Sequence, residues 1–175
     1  TLPVVKDACG DTLTGVLKSG YPTATPSCEG DVEYVYTFTD CEGNSHDWTY
    51  TYTIEYEDFE MPDNDSSTVA CIANATKPTA PSVTDNCGNA LTPSAAVEGG
   101  TYDGCEGTRT YTFTYTDCED NSHDWVYTYT IEREDFTIPA NTGSTVACID
   151  DATKPTAPSV TDNCGNALTP SAAVE

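Results

Sequence analysis

The chain is organised around residues 105–136, which contain two runs in which aromatic residues alternate with threonine or valine. Tyr111, Phe113 and Tyr115 fall on one side, the intervening threonines fall on the other, and after a short acidic loop the alternation resumes from Trp125 to Ile131. A period of two in β-branched and aromatic residues is typical of half-buried strands. The pattern predicts a β-hairpin of two long strands with a buried aromatic face.

This hairpin occurs twice, at a constant sequence offset of 77. Residues 40–62 match residues 117–139 at 18 of 23 positions, and residues 71–98 match residues 148–175 at 26 of 28. Self-similarity at a fixed period indicates a repeat array. We interpret residues 1–62 as the C-terminal part of one repeat, 63–139 as a complete second repeat and 140–175 as the N-terminal part of a third. Because the outer repeats would lack strands, we expect a longer array that supplies them.

Short strands are predicted before each hairpin. In the complete repeat they are residues 67–72, residues 82–84 and one or two weak strands within residues 91–97, separated by turns rich in Pro, Asp, Asn and Gly. No stretch shows helical amphipathicity, and the aromatic face of the hairpin needs a second sheet to cover it. The sequence predicts an all-β fold of tandem immunoglobulin-like β-sandwiches with six or seven strands per repeat.

The charge of the chain restricts its partners. It carries 29 acidic and 6 basic residues, a formal net charge of −23. Without a basic patch it is not expected to bind nucleic acid or anionic membrane surfaces, and no apolar window approaches the ~20 residues of a membrane span. Such acidity favours cation binding instead.

Nine cysteines recur at fixed places in the repeats and include no C-x-x-C motif, which favours disulfides in an oxidising, extracellular compartment over zinc. Cys87 follows the second strand and Cys118 lies in the hairpin loop, so both loops are expected at the same end of a sandwich. We therefore predict Cys87–Cys118 and, by remainder, Cys71–Cys105. Cys87–Cys105 is a competing pairing, because four cysteines allow three connectivities.

The same two loops concentrate oxygen ligands. Asp85 and Asn86 lie in one, and Asp117, Glu119 and Asn121 lie in the other. Converging carboxylate and amide oxygens are what calcium requires, and these five residues form a candidate calcium site. The alternative is that Asp and Asn close the turns by bonding to their own backbone.

Two further patterns are assigned no chemistry. Ser45-His46-Asp47 and Ser122-His123-Asp124 contain the residue types of a catalytic triad, but neighbours in a tight loop point apart, so no enzyme activity is expected. The threonine rows resemble those of ice-binding surfaces, yet solvent-facing strands favour threonine on propensity alone.

The strings TVAC, APSVTDNCGN and GTYDGCEGTRTYTFTYTDCEDN, followed by a strand ending in TIE, resemble the HYR-like, immunoglobulin-type repeats of giant Bacteroidota surface adhesins such as the SprB-type gliding-motility adhesins. The resemblance covers the whole chain. It implies export by type IX secretion, display as a filament on the cell surface, and a role in adhesion or gliding.

Two functions are consistent with this sequence. The first is a structural segment of an adhesin filament whose partners are the neighbouring repeats and an unknown surface or glycan ligand. The second is a multivalent array that binds glycan, ice or calcium through avidity.

Overall fold

A computed structural model gives the fold, and it describes residues 1–171. Its helices are two short 3₁₀ turns, η1 (Ile72–Asn74) and η2 (Ile149–Asp151), and the regular structure is otherwise β. No helix in the described part of the chain is long and apolar enough to cross a membrane. The prediction of an all-β repeat fold is confirmed.

The strands follow the order of the repeats. The first repeat holds β1 (Val5–Lys6), β2 (Thr12–Leu13), β3 (Val16–Leu17), β4 (Gly30–Thr39) and β5 (Ser45–Ile54). The second holds β6 (Asp65–Val69), β7 (Val83–Thr84), β8 (Ala90–Leu91), β9 (Val97–Gly99), β10 (Gly107–Thr116) and β11 (Ser122–Ile131). The third holds β12 (Val160–Thr161) and β13 (Ala167–Leu168).

The two long hairpins form as the alternating pattern predicts. In the first, β4 and β5 pair antiparallel from Gly30 opposite Ile54 to Thr39 opposite Ser45. In the second, the β10 aromatics that share a face are all buried, and β11 contributes buried side chains at both ends of its own row. This face supplies five of the eleven buried apolar residues in the described part of the chain. The buried residues of this face are Tyr111, Phe113, Tyr115, Trp125 and Ile131.

The hairpins differ in what lies beside their second strand. β11 has β6 as a parallel neighbour, in a register that runs from Tyr127 opposite Asp65 to Ile131 opposite Val69. The sheet order is β6-β11-β10-β9, so β11 is an interior strand. The corresponding sheet of the first repeat has the order β3-β4-β5, which leaves β5 at an edge.

The chain divides into two compact units whose borders do not follow the repeats. Unit 1 combines Thr1–Met61 with Ser82–Thr92 and Tyr115–His123, and unit 2 combines Pro62–Pro81 and Pro93–Thr114 with the described residues from Asp124 onward. Val32, Phe38 and Phe59 are among the buried residues of unit 1, and Ala75 is buried in unit 2. Each unit is therefore built from segments of two successive sequence repeats.

Candidate functional site: the inter-repeat junctions

One type of turn carries five of the nine cysteines. Its first residue is Asp, whose Oδ1 accepts hydrogen bonds from the backbone N–H groups two and four residues later. At Asp85 these donors are Cys87 and Asn89, and the Asn89 amide also donates to Asp85 Oδ2 at 2.8 Å. Turns with the same backbone hydrogen bonds start at Asp7, Asp40, Asp117 and Asp162.

The turn explains why Asp and Asn occur where they do. Its fourth residue has a positive φ and is glycine in four of the five copies, whereas Asp120 (φ 67°) occupies the position in the fifth. Hydrogen bonds from the Asn89 and Asn166 amides lower the pKa values of Asp85 and Asp162 respectively. The turn therefore favours an ionised aspartate.

Two disulfides connect these turns to other parts of the chain, and neither is one that the sequence predicted. Cys28 is bridged to Cys118 with a Cα–Cα distance of 5.7 Å, and Cys71 is bridged to Cys164 at 5.6 Å. The predicted pairs Cys87–Cys118 and Cys71–Cys105 are wrong, because Cys118 and Cys71 have these other partners. The competing pair Cys87–Cys105 is wrong as well, since both thiols are free and exposed.

The observed cysteine pairing differs from the predicted one because of the packing within each unit. The loops that carry Cys87 and Cys118 do lie in the same unit, and the charge of Asp85 acts on the carboxylate of Asp117. In unit 1, however, the segment that carries Cys28 comes from the first repeat and reaches the turn of Cys118. The thiol of Cys87 instead stands beside Tyr56, and its interaction with the tyrosine hydroxyl raises the pKa of Tyr56.

A residue just after each hairpin contacts the next repeat's turn. Tyr56 follows the first hairpin and interacts with Cys87 and Asp85. Arg133, at the equivalent position in the following repeat, forms an ion pair with Asp162 and donates to the carbonyl of Gly104 at 3.2 Å. The sequence reasoning missed both residues, although this is one of the few positions at which the near-identical copies differ.

A pair of carboxyl groups adjoins the Cys28–Cys118 bridge. The interaction with the Glu29 side chain, together with burial and charge repulsion, raises the pKa of Glu119. Burial disfavours the ionised form of Asp117, but its hydrogen bonds from Asn121 and Glu119 outweigh this and lower the pKa of Asp117. The oxygens of Asp85 and Asp117 thus close their own turns.

The structure places the five predicted calcium residues on two turns of unit 1, β7–β8 and β10–β11. Within residues 1–171, no group of three or more His, Cys, Asp and Glu side chains is positioned to hold a metal ion. Calcium binding at Asp85, Asn86, Asp117, Glu119 and Asn121 therefore stays a prediction.

The Ser-His-Asp strings form cross-strand and linker contacts. Ser122 Oγ lies 2.7 Å from Thr116 Oγ1, and Thr114 donates to Asp124 Oδ1 at 2.6 Å. His123 Nε2 lies within 2.9 Å of both carboxylate oxygens of Asp58 instead of facing its sequence neighbours. The ring of Phe59 packs edge-on against the same histidine at a centroid distance of 4.9 Å.

Each junction between repeats carries one disulfide, and comparison with known families identifies the repeat. A family model described as an HYR-like domain with four cysteines matches residues 1–54, 59–131 and 136–175. The chain belongs to this HYR-like family. None of the curated proteins compared with the chain matches it.

Family membership is consistent with the cysteine pattern. The complete HYR-like repeat contains four cysteines, Cys71, Cys87, Cys105 and Cys118, as the family description requires. HYR-like repeats are extracellular adhesion-type domains, a structural rather than an enzymatic family. Disulfides between repeats fit that extracellular setting.

Proposed function

We propose that this chain is a load-bearing segment of a cell-surface adhesion filament in which successive HYR-like repeats are joined covalently. The observation that carries the proposal is the position of the two disulfides. Cys28–Cys118 joins the first family repeat to the second, and Cys71–Cys164 joins the second to the third. A tensile force on the chain then passes between repeats through these disulfides.

The bridges also hold about half of the backbone out of the load path. The shortest covalent route between the ends follows residues 1–71, crosses to Cys164 and continues to residue 175. At ~3.4 Å per extended residue, this route is roughly half the contour length of the unbridged chain. The predicted pairs within one repeat would leave roughly four fifths of the contour extensible.

Single-molecule pulling tests this difference directly. A chain held at both ends is expected to extend to roughly half its full contour, and to reach the full contour after reduction with dithiothreitol. Extension to roughly four fifths before reduction would contradict bridges between repeats. Digestion at the many acidic residues, followed by mass spectrometry, is expected to release the Cys71 and Cys164 peptides as one species until reduction.

The cellular role that we propose follows from the resemblance to Bacteroidota adhesins. In this proposal the filament is exported by type IX secretion, is anchored at the cell surface, and serves adhesion and SprB-type gliding. One bridge at each junction between family repeats supports a spacer role, since a spacer needs every pair of neighbouring repeats to be joined. Deleting repeats in the native gene is expected to shorten the surface filament in steps, and unchanged filament length would contradict the role.

A further inference from the structure

The two disulfides are interleaved along the chain. Each bridge joins one cysteine to the next but one in the order Cys28, Cys71, Cys118, Cys164. Every segment between successive bridged cysteines therefore begins at one bridge and ends at the other. We call these segments the first arm (residues 28–71), the second arm (71–118) and the third arm (118–164).

The three arms have nearly the same length. They span 43, 47 and 46 sequence positions respectively. When the unfolded chain is pulled at its ends, the first arm becomes taut before the others. At ~3.4 Å per extended residue, the other two arms then have only ~10 to 14 Å of slack. The second and third arms thus stand in close reserve behind the first.

In the folded chain, one strand of each arm lies in a single sheet. The sheet order β6-β11-β10-β9 places β11 of the third arm between β6 of the first arm and β10 of the second. β6 and β11 run parallel, whereas β10 enters β11 through a hairpin turn and runs the other way. These directions match the arms, because only the second arm passes from the Cys71 bridge back to the Cys28 bridge.

The bridges attach near the two ends of β11. Cys118 lies in the turn that precedes this strand. Cys71 lies two residues after Val69, which is opposite Ile131 at the C-terminal end of β11. Because ladder hydrogen bonds run across the strands, a pull between the bridges loads these bonds together instead of one after another.

We propose that the interleaved bridges make residues 28–164 a three-armed covalent tether. The shortest arm sets the maximum extension, and two arms of nearly equal length lie parallel to it. This tether deepens the proposed load-bearing function and rests on it for the direction of pull. A longer loop in one arm would then hardly change the reach of the filament, because the remaining arms limit it.

Insertions that lengthen chosen arms test the tether in the full chain. The chain is held at both ends without reductant, after its free thiols have been alkylated, and each insertion is a flexible twenty-residue Gly-Ser segment. The insertions follow an exposed residue in each arm: Glu60 in the first, Ala95 in the second and Thr142 in the third.

Lengthening the first and third arms together is expected to raise the maximum extension by only four residues, or ~14 Å, because the second arm becomes the shortest. Lengthening all three arms should raise it by the full twenty residues, or ~70 Å. The matched control is the same insertion after Ser19, outside the bridges, which should add ~70 Å by itself. A gain of ~70 Å or more from the two-arm variant would overturn the tether.

Failure of the tether can be told apart from failure of the proposed function. Wild-type extension to roughly four fifths of the contour would contradict bridges between repeats altogether. Wild-type extension to roughly half, combined with a gain of ~70 Å in the two-arm variant, would leave one such bridge in place and refute the tether alone.

Reduction at constant force needs no insertion, so it decides the outcome even if the inserted chains do not fold. The stretched wild-type chain reaches its full contour only after dithiothreitol has reduced both bridges, so we expect a lag before release. Cys28→Ser leaves only Cys71–Cys164 and should release in a single exponential. Cys105→Ser, which changes the free thiol at the equivalent position of the next repeat, should keep the lag. Release of the wild-type chain without a lag would overturn the tether.

Discussion

Cys71 is bridged to Cys164, which is the counterpart of Cys87 in the next repeat. The other bridge follows the same rule, since Cys28 is joined to Cys118, the counterpart of Cys41 one repeat later. Each bridge therefore joins one cysteine to the next-repeat counterpart of the cysteine that follows it in the sequence.

Loss of one bridge should destabilise the chain far more than loss of a free thiol. A sequence separation of 93 between the bridged cysteines gives about 4–5 kcal/mol of stabilisation in the chain-entropy account. Cys164→Ser is expected to lower the free energy of unfolding by up to about that amount, measured by urea denaturation. Cys148→Ser, which changes a free exposed thiol, is the matched control. Equal effects of the two substitutions would mean that the Cys71–Cys164 bridge is not formed.

Replacement of Asp120 by glycine should stabilise the second hairpin. Asp120 has a φ of 67° at a turn position where Gly43 has 88° in the first hairpin. Because L-residues disfavour this region, Asp120→Gly is expected to raise the free energy of unfolding by roughly 0.5–1 kcal/mol. The reciprocal Gly43→Asp should destabilise by a similar amount, and thermal unfolding of both variants checks the pair. A stabilising effect of Gly43→Asp would contradict this account of the turn.

The aspartate turns should make the chain sensitive to acid. The pKa values of Asp40, Asp85 and Asp162 are lowered chiefly by the paired asparagine amides. A group with a lowered folded-state pKa contributes stability above its unfolded pKa and loses it as the pH falls through the folded value. The midpoint of thermal unfolding is therefore expected to drop as the pH decreases below about 4.

The pKa of Glu119 is shifted in the opposite direction. Its pKa is raised, so its contribution is present at low pH and is lost as the pH rises through the folded value. Glu119→Gln should therefore stabilise the chain at neutral pH relative to wild type. Asp85→Asn, in contrast, should reduce the fall of the unfolding midpoint below pH 4. A midpoint that does not change between pH 5 and pH 2.5 would contradict the assigned role of the turns.

The calcium prediction has a direct test. A cation between the turns would relieve the charge repulsion that Glu29 and Asp117 exert on Glu119. The expected result is a rise in the unfolding midpoint with millimolar calcium that magnesium does not reproduce and that Glu119→Gln abolishes. A calcium-independent midpoint would leave the turns as self-closed structures only.

Much of the fold could be predicted because it depends on local chemistry. Alternation predicted the buried face of Tyr111, Phe113 and Tyr115. The alternative that Asp and Asn close the turns is seen at Asp85 and Asp117, whose carboxylates accept hydrogen bonds within their own turns. These features need only a strand period or a side chain within four residues of its partner.

The connectivity of the cysteines could not be predicted in the same way. In a repeat with a constant offset, Cys41 and Cys118 have the same sequence surroundings, so no local signal distinguishes a partner in the same repeat from one in the next. Only packing decides, here by bringing the Cys28 segment to the Cys118 turn. The parallel pairing of β6 with β11 was missed for a similar reason, because register between distant strands depends on tertiary contacts.

The spans of the two disulfides overlap between Cys71 and Cys118, and this has a consequence for proteolysis. A single cut anywhere between Cys28 and Cys164 leaves the two fragments joined by at least one bridge. A protease that nicks one exposed linker therefore cannot sever this part of the molecule. Bridges confined to single repeats would leave every linker between them as a point at which one cut releases the distal portion.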